Sequence, residues 1–468
     1  MIVMKFGGAS LQDDFNFANV IKVVQENKEK NPIVVVSAMK GVTDLLLESI
    51  HFAVQRENLK LSNHLKKIKE KHINVIESLI KNEKKRTDVL KDLEKHLLDL
   101  GYLLNAVSVL KEYTKKSWDM ILSYGEKLSS RILIDLMLSH NINAVQVLGE
   151  EVIVTDSNFN SAYPNFSLTK KKSNQILKPM IKKGFTPVIA GFTGATKDGE
   201  TTTMGRGGSD LSASIIGACM DCEEVWFLKE VDGIMTHDPR VVSEASLIKE
   251  ITYSEVAELS YFGAKVLHPI AIHPLKENGI IARIKNVYDV NSDGTKVSAL
   301  ITTNTNKLKP VKAISVINDI CLLTIQGEGM IGIPGVAAKV FTCLADSMIN
   351  VLMISQSSSE QNICIVINKV DRKSAINKLN EKFELEILKG LMGSIKVQES
   401  FSVLSLVGKE MAGTSGVCGK IFSILGQGDI NIVMIAQGSS ELNISFLIEK
   451  SKSKLAVNLL HKAFLLHE

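Results

Sequence analysis

The chain has 468 residues, of which 45% are hydrophobic and 23% charged, so it is long enough for about three globular domains. Its formal net charge of +4 gives no electrostatic case for a nucleic-acid or membrane-surface binder, and no run approaches the ~18 apolar residues of a membrane span. Six cysteines do not make a disulfide framework at this length, and the N-terminus lacks the pattern of a secretion signal, so we expect a soluble, cytoplasmic protein without nucleic-acid or membrane partners.

Short apolar runs alternate with helical patterns through the first 300 residues. Residues 1–6 predict a strand, residues 15–30 a helix, and the β-branched run 32–38 a strand buried on both faces. Residues 44–115 have long helical periodicity, with lysines interleaved with acidic residues as on a solvated face. Further strands are predicted at 144–148, 187–192, 224–229 and 280–285. The alternation predicts an α/β fold whose open, largely parallel sheet is sandwiched by helices.

The C-terminal third contains an internal repeat. Residues 327–367 align with residues 408–448 at a constant offset of 81, without gaps and with about 19 identities in 41 positions. Each copy is predicted to fold as strand, glycine turn, helix, strand, hairpin, strand and helix. Units of this size are too small to be catalytic on their own, so the pair is predicted to be a regulatory module.

A glycine pattern at Gly327, Gly329 and Gly332 has the spacing of a dinucleotide-binding fingerprint. We interpret it as a structural turn, because the second copy has Glu410 at the middle glycine. The strand that follows, 350–355, also ends without the acidic residue that would hold a ribose. The chain has no Gly-x4-Gly-Lys-Ser/Thr loop, which excludes a Walker-type nucleotide site.

The first predicted strand ends at Lys5 and Phe6, and two glycines follow. The backbone of Gly7 and Gly8 can approach an anion closely, and Ser10 can add a hydroxyl donor. The following helix offers its N-terminus to phosphate. This segment therefore predicts a phosphate site.

The segment 203–210 is the most specific one in the sequence. It places three glycines, an arginine, a serine and an aspartate directly before a helix predicted at 211–219. The glycines expose backbone amide groups, and Arg206 can clamp a carboxylate with two hydrogen bonds. Asp210 is placed to orient a lysine near a phosphate.

Together these motifs resemble the aspartate kinases, members of the amino-acid kinase family that carry two C-terminal ACT domains, and the resemblance covers essentially the whole chain. The matching motifs are residues 5–10, 35–44, 123–126, 191–194, 203–210, 231–240 and 262–269. The resemblance implies an amino-acid-kinase catalytic domain at 1–300 and two ferredoxin-like ACT domains at 319–395 and 396–468. It also implies that residues 308–318 complete the second ACT domain.

The resemblance implies transfer of the γ-phosphoryl group of ATP to the side-chain carboxylate of L-aspartate. The product is 4-phospho-L-aspartate, in the first step of lysine, threonine and methionine biosynthesis. The accepting carboxylate has an ordinary pKa of about 3.9, so it is already ionised and needs no general base. Catalysis then reduces to positioning two anions and neutralising charge. Mg²⁺ would be carried by the nucleotide phosphates, because the sequence has no dense carboxylate cluster for a protein metal site.

The family assigns Lys5 and Asp210 to catalysis, with Asp210 orienting Lys5. Its contacts to ATP fall here on Lys5, Phe6, Gly7, Gly8, Ser10, Lys229, Glu230, Met235, Arg240, Lys265 and Val266. Lys229 and Glu230 stand where the family commonly has threonine and aspartate, and Met235 where it often has tyrosine. Contacts from these three side chains are therefore less secure than those to the phosphates from Arg240 and Lys265.

For the amino acid, the resemblance assigns Arg206 to a substrate carboxylate and Glu126 to the α-ammonium group. The pocket would be completed by Ser37, Ala38, Thr43 and Ser209. We expect Glu126 at the start of a helix, where the helix dipole would favour a carboxylate. His268 is predicted to be a helix cap or a packing residue, since the reaction needs no imidazole.

In the regulatory half, Gln356 and Gln437 occupy equivalent strand ends, where a side-chain amide could read an amino-acid effector. The surrounding Gln-x-Ser-Ser-Glu runs resemble the threonine-responsive type, so threonine is expected over lysine. Because ACT sheets expose edges that must be paired or covered, we expect a homodimer or a dimer of dimers.

Two alternatives remain open at this stage. One is another amino-acid kinase, such as acetylglutamate or glutamate kinase, although these lack the tandem repeat and the motif 262–269. The other is a non-catalytic amino-acid sensor built on an inactive kinase. The presence of the charged site residues argues against it; these are Lys5, Glu126, Arg206, Asp210 and Lys265.

Overall fold

The computed structural model describes residues 1–263, 267–301, 309–327, 333–357 and 362–465. The chain divides into two compact units. The first comprises Met1–Ile234, Leu247–Ala257 and the described residues between Lys265 and Thr303. The second comprises Met235–Ser246, the described residues between Glu258 and Ala264, and the described ones from Asn304 onward. Within these ranges, no helix combines the length and the apolar run needed to cross a bilayer.

The elements up to residue 298 are β1 (Ile2–Phe6), α1 (Asp14–Glu26), β2 (Pro32–Val36), α2 (Val42–Gln55), α3 (Asn58–Leu79), α4 (Glu83–Leu110), α5 (Lys115–Ser139), β3 (Ala144–Val147), α6 (Gly149–Val152), α7 (Phe166–Lys182), β4 (Thr186–Ala190), β5 (Thr193–Ala195), β6 (Thr201–Thr203), α8 (Gly208–Cys219), β7 (Glu224–Lys229), β8 (Glu250–Thr252), α9 (Tyr253–Tyr261), α10 (Pro269–Asn278), β9 (Ile281–Asn286) and β10 (Thr295–Ser298). The strands and helices predicted in this half are confirmed, with ends that differ by a few residues.

An eight-stranded sheet, in the order β3-β4-β2-β1-β7-β9-β10-β8, forms the centre of the first unit. Its neighbouring strands are parallel except for β9 and β10. Every residue of β1, β2 and β4 is buried, which is why these strands read as continuous apolar runs. One face packs against α1 to α5. The other meets α8, where a Cβ on Gly217 would lie 2.5 Å from Val225 Cγ2. The predicted layered fold is confirmed.

The strand order reverses between β1 and β7. The chain runs from β1 to β2 on one side, and returns later to place β7 on the other side of β1. In open parallel sheets, ligands bind at the carboxyl ends of the strands beside such a reversal. The carboxyl ends of β1 and β7 carry Lys5 and Lys229, so the topology itself points to this edge as the site.

The remaining elements are β11 (Ala313–Ile317), β12 (Ile320–Gln326), α11 (Val336–Asp346), β13 (Val351–Gln356), β14 (Asn362–Asn368), α12 (Arg372–Lys382), α13 (Glu384–Leu388), β15 (Lys396–Gln398), β16 (Phe401–Val407), α14 (Val417–Gln427), β17 (Ile432–Ala436), β18 (Asn443–Glu449) and α15 (Ser453–Phe464). They form two four-stranded antiparallel sheets, β13-β14-β12-β15 and β11-β16-β18-β17. The element order predicted for the two copies is therefore confirmed. Each helix pair covers one face of its own sheet, and the other faces share an apolar layer that includes Leu322, Val403 and Leu447.

Two strands fall outside the repeat proper. β11 precedes the first copy but pairs with β16 of the second, from Ala313 opposite Val407 to Ile317 opposite Val403. β15 pairs with β12 and so lies in the first sheet. The expected boundary between the two ACT domains, at residues 395 and 396, therefore falls just before β15. We place this boundary after Gln398, the last residue of β15.

The expected continuous domain at 1–300 is interrupted, because residues 235–246 belong to the second unit. Within that unit, Thr236 Oγ1 lies 2.9 Å from His461 Nε2 on α15. His237 Nδ1 donates to the carbonyl oxygen of Ile314, at 2.7 Å. Val242 is buried in the apolar core beneath α14 and α15. Hydrogen bonds and apolar packing together hold this segment in the second unit.

Candidate active site

Three charged side chains meet at the carboxyl edge of the large sheet. Lys5 is the penultimate residue of β1, Lys229 ends β7, and Asp210 lies in the first turn of α8. Lys5 Nζ lies 2.5 Å from Asp210 Oδ1, and Lys229 Nζ lies 3.5 Å from Asp210 Oδ2. The side chains of Lys5 and Asp210 are only 8% and 10% exposed. Two positive charges and one negative charge leave a buried excess of one positive charge, which favours an anion.

Asp210 is held in its ionised form. Burial alone would raise the pKa of its carboxyl, but Lys5 and Lys229 outweigh burial and bring that pKa below its ordinary value. Burial lowers the pKa of Lys229, an effect that Asp210 opposes and Lys5 reinforces. A carboxylate with a lowered pKa is a poor proton acceptor. Asp210 is therefore suited to hold the two lysines and not to act as a general base.

The glycine turn after β1 brings backbone close to these lysines. A Cβ on Gly7 would lie 3.5 Å from Lys5 Nζ, and a Cβ on Gly8 would lie 2.9 Å from the carbonyl oxygen of Ala38, closer than side chains pack. Ser10 is buried, and its hydroxyl donates to the carbonyl oxygen of Leu228 at 3.5 Å. The side chain of Phe6 lies in the apolar core, so only its backbone could reach a ligand.

The turn after β2 packs on the middle of α5. Ser129 Oγ donates to the carbonyl oxygen of Ser37 at 2.7 Å, and a Cβ on Gly125 would lie 2.8 Å from Ala38 Cβ. This close approach brings the backbone of Ala38 near the carboxyl of Glu126, where it partly offsets the rise in pKa that burial causes. The structure thus joins three of the residues expected to hold the amino acid; these are Ser37, Ala38 and Glu126.

Glu126 is the most perturbed acid of this site. Its side chain is buried, and its Oε2 has no hydrogen-bond partner among the described residues. Burial raises the pKa of Glu126 to about 8, partly offset by the Ala38 amide and by Lys5. An orphaned buried carboxyl oxygen of this kind suits a cationic ligand group, which would restore both the charge and the hydrogen bond.

The expected position of Glu126 at a helix start is wrong. Glu126 lies in the middle of α5, far from either end of the helix. Glycine is a poor helix former. The preceding Gly125 nevertheless does not end the helix and serves close packing against Ala38.

The glycine-rich loop, in the segment 203–210, carries Arg206 and Ser209 at the start of α8. Gly205 and Gly207 have φ angles of 68° and 78°, which favour glycine, and a Cβ on Gly207 would lie 2.5 Å from His268 Cβ. Arg206 is exposed and forms no hydrogen bond or ion pair with the described residues. Ser209 is half-buried in the first turn of α8. Arg206 is therefore available to a ligand.

His268 caps α10, as predicted. Its Nδ1 accepts a hydrogen bond from the backbone amide of Ile270 at 3.4 Å. Packing of its ring against Gly207 gives it a second structural role. Nothing in this geometry gives the imidazole a chemical task.

The other expected site residues differ in their exposure and in the unit to which they belong. Thr43 is half-buried in the first turn of α2. Glu230 is exposed, with Tyr288 donating to its Oε1 at 3.5 Å. Met235 and Arg240 belong to the second unit, where Arg240 is exposed and forms an ion pair with Asp238 at 2.6 Å. Lys265 and Val266 lie outside the described residues.

Sequence reasoning missed two acids, the fully buried Asp119 and the half-buried Glu150. Asp119 on α5 accepts hydrogen bonds from Thr203, and Glu150 accepts one from Thr193 Oγ1 at 3.0 Å. Burial raises the pKa of both carboxyls. The one signal in the sequence was the spacing of seven residues from Asp119 to Glu126, which places both on one helix face.

In the second unit, Gln356 ends the edge strand β13 and Gln437 directly follows the equivalent edge strand β17, and both are exposed. Cys418 Sγ donates to Gln437 Oε1 at 3.8 Å. No group of three or more His, Cys, Asp or Glu side chains in the described part of the chain is arranged to hold a metal ion.

Family models match most of the chain. Residues 1–286 match the model described as amino acid kinase family, and residues 323–383 and 404–464 each match the ACT domain. The first match alone covers more than half of the chain.

The chain is also similar to curated proteins. Bifunctional aspartokinase/homoserine dehydrogenase 1, chloroplastic, of Arabidopsis thaliana is 32% identical over 473 residues, which cover 99% of this chain and 51% of that protein. Aspartokinase 2, chloroplastic, of the same plant is 31% identical over 467 residues, covering 99% and 84%. The chain spans about half the length of the bifunctional relatives it matches.

Among solved structures, the chain resembles E. coli aspartokinase III. The complex of that enzyme with aspartate and ADP has a TM-score of 0.80 at 27% identity and covers 99% of both chains. Its complex with lysine and aspartate has a TM-score of 0.83 with the same identity and coverage. These are similarities over the full length of both proteins.

Proposed function

The chain belongs to the amino acid kinase family, among its aspartokinases, and from this we propose that it transfers the γ-phosphoryl group of ATP to the side-chain carboxylate of L-aspartate. The products are ADP and 4-phospho-L-aspartate. The observation that carries the proposal is the cluster of Lys5, Asp210 and Lys229 beside the Gly7-Gly8 turn, at the strand reversal of the sheet. The cluster offers two cations and exposed backbone to the phosphates.

In the proposed reaction, a carboxylate oxygen of aspartate forms a bond to the γ-phosphorus, and the bond from that phosphorus to the bridging oxygen of ADP breaks. No proton has to move, since the attacking carboxylate is ionised at neutral pH. Lys5 would donate hydrogen bonds to the transferring phosphoryl group and neutralise the charge that develops on its oxygens. Asp210 would keep Lys5 in place. Mg²⁺ supplied with the nucleotide would neutralise further phosphate charge.

The amino acid would be held at both ends. Glu126, with its orphaned oxygen, would accept a hydrogen bond from the α-ammonium group, and Arg206 would clamp a carboxylate. Ser37, Ala38, Thr43 and Ser209 would complete the pocket. Solved complexes of E. coli aspartokinase III contain aspartate and ADP, which supports this substrate pair for the present chain.

The remaining nucleotide contacts are proposed on the family resemblance. They are Phe6, Gly7, Gly8, Ser10, Lys229, Glu230, Met235, Arg240, Lys265 and Val266. For Phe6 the backbone would make the contact, because its side chain is in the core. Ser10 would have to exchange its hydrogen bond to Leu228 for one to a phosphate.

We expect the purified protein with ATP and Mg²⁺ to form an acyl phosphate from L-aspartate that hydroxylamine traps as a coloured hydroxamate. L-Glutamate and N-acetyl-L-glutamate, tested alike, should give little product. A clear preference for either would replace the proposal by another amino-acid kinase. Absence of product with all three acids would favour a sensor without catalytic activity.

We propose feedback inhibition by L-threonine through Gln356 and Gln437. Both amides are exposed at equivalent places, one at the end of the edge strand β13 and the other directly after the edge strand β17, where an amino-acid ligand could bind. Losing one such amide leaves a polar group of the ligand unsatisfied, at a cost of ~1–3 kcal/mol. Gln356→Ala or Gln437→Ala should therefore weaken inhibition by about one order of magnitude, with normal uninhibited activity. Titration of activity with threonine is the measurement.

Gln427→Ala, which removes an exposed glutamine at the end of α14, is the matched control and should leave inhibition unchanged. Because coupling is reciprocal, threonine should also bind less tightly when aspartate and ATP are present. E. coli aspartokinase III has been solved with lysine, so lysine is titrated alone and with threonine. Inhibition by lysine alone, or by neither amino acid, would refute the threonine assignment and leave the kinase assignment intact.

We also propose a homodimer or a dimer of dimers joined through the second unit. The edge strands β13 and β17 expose Ile354 and Ile435, which are 47% and 44% exposed. Apolar edge strands of this kind are paired or covered in soluble proteins. The six cysteines are free thiols, which suits a reducing compartment, and we propose a cytoplasmic location and a role in lysine, threonine and methionine biosynthesis.

A further inference from the structure

Asp119 forms a buried junction between α5 and the segment that leads to the glycine-rich loop. Its side chain is fully buried. The carboxylate accepts hydrogen bonds from Thr203 Oγ1 at 2.6 Å, from the Thr203 amide at 2.9 Å and from the Asn160 amide at 2.9 Å. All of these donors are neutral and come from outside α5. A buried carboxylate is costly, so its hydrogen bonds to a second segment define a specific contact.

The two sides of this junction carry the two groups proposed to bind the amino acid. On α5, Glu126 follows Asp119 by seven residues, which is about two turns or ~10 Å along the same helix face. On the other side, Thr203 ends β6 and precedes Arg206 by three residues. The hydroxyl and the amide of Thr203 both donate hydrogen bonds to the Asp119 carboxylate. The junction thus ties the start of the Arg206 loop to the helix that carries Glu126.

We propose that Asp119 is a positioning residue that fixes the spacing between Glu126 and Arg206, and through it the affinity of the site for its amino acid. The proposal rests on the function proposed above. An amino acid held by its ammonium group at one point and by a carboxylate at another fits only one spacing well. Loosening the junction should therefore weaken aspartate binding.

The chemistry requires a carboxylate at residue 119 and a hydroxyl at residue 203. Asparagine at 119 keeps one acceptor oxygen but turns an amide N–H toward a donor. Valine at 203 keeps the backbone bond and removes the hydroxyl bond, whereas serine keeps both. Asp119→Asn and Thr203→Val should therefore act in the same direction, and Thr203→Ser should behave like the unmodified protein.

Steady-state kinetics with L-aspartate and ATP is the test. For Asp119→Asn we expect the KM for aspartate to rise about tenfold, the loss from one strong buried hydrogen bond. The KM for ATP should stay within about twofold and kcat within a few-fold. Thr203→Val should show the same pattern more weakly.

Asp135→Asn is the matched control, because Asp135 is also a poorly exposed aspartate on α5 but lies 3.4 Å from Arg131. It should leave both KM values unchanged. Equal rises in the KM for aspartate and for ATP, or an unchanged aspartate KM in Asp119→Asn, would overturn the proposal. Should Asp119→Asn fail to fold, as judged by circular dichroism, the comparison of Thr203→Val with Thr203→Ser decides the question in the same way.

Failure of the proposed function would look different. The unmodified protein would then form no aspartyl hydroxamate. If the unmodified protein does phosphorylate aspartate and the variants leave its KM for aspartate unchanged, only the role of Asp119 is refuted.

Discussion

Lys5→Ala should lower the turnover of aspartate phosphorylation by about 10²–10³-fold, the usual effect of removing one donor that stabilises transition-state charge. The protein should still fold, because Asp210 keeps Lys229 as a partner at 3.5 Å and is not left as an unpaired buried charge. The KM for aspartate should change far less than kcat. Hydroxamate formation at saturating ATP and aspartate measures the effect.

Lys285→Ala supplies a control for removing a buried lysine from the same sheet. Lys285 lies on β9, only 5% exposed, with its Nζ 4.4 Å from the centre of the Trp226 ring and no contact to Asp210. Its replacement should leave kcat within a few-fold. A turnover of Lys5→Ala within a few-fold of the unmodified protein would remove Lys5 from the catalytic role given to it.

The kcat/KM for aspartate should rise about tenfold per pH unit from pH 6 to 7 and level off above pH 8. Burial raises the pKa of Glu126 to about 8, so the neutral acid predominates in the unliganded protein at pH 7. The α-ammonium group of aspartate requires the ionised form. Binding therefore releases a proton and strengthens as pH rises toward the pKa of Glu126. The pH profile of kcat/KM is the measurement.

Glu126→Gln should flatten that profile. It should also lower kcat/KM by roughly 30-fold at pH 8.5, equivalent to about 2 kcal/mol for a buried charge pair that loses one partner. Glu255→Gln replaces another fully buried glutamate, whose carboxylate accepts from Thr252, and should keep the profile of the unmodified protein. A slope that persists in Glu126→Gln would assign the titration to another group. The half-buried Glu150, whose pKa burial also raises, would be the first to examine.

Regular elements were predictable from the sequence wherever burial imposes a pattern. β1, β2 and β4 are buried on both faces, so their runs of apolar residues stand out without any knowledge of their partners. The repeat likewise predicted two equivalent units. The order of strands in the sheet, and the pairing of β11 with β16, depend on contacts between residues far apart in the chain, which no local pattern encodes.

At the site, the place of Glu126 in its helix was misread. The sequence predicted a helix start there, whereas Glu126 lies in the middle of α5, next to the close contact between Gly125 and Ala38. A glycine can serve tight packing as well as a turn, and the distinction depends on the neighbour that the fold supplies. The phosphate-site role of Gly7 and Gly8 stays a prediction.

Lys229 was expected to be an insecure contact, because it replaces a shorter residue common in the family. The structure places its ammonium group against Asp210, where a threonine could not reach. Whether the Lys229 side chain can reach Asp210 depends on the distances between β1, β7 and α8, which the sequence does not specify. Asp119 went unnoticed for a similar reason, since its partners lie 41 and 84 residues away.

A single break in the chain does not separate the two units of the described chain. Residues 235–246 belong to the second unit, whereas the stretches on both sides of them belong to the first. A recombinant fragment ending near residue 300 would leave Val242 without the apolar neighbours that bury it. A fragment starting near residue 304 would deprive His461 of Thr236. Chimeras with related enzymes should therefore exchange residues 235–246 together with the C-terminal portion. A junction at residue 300 alone would pair both Val242 and His461 with residues from a different protein.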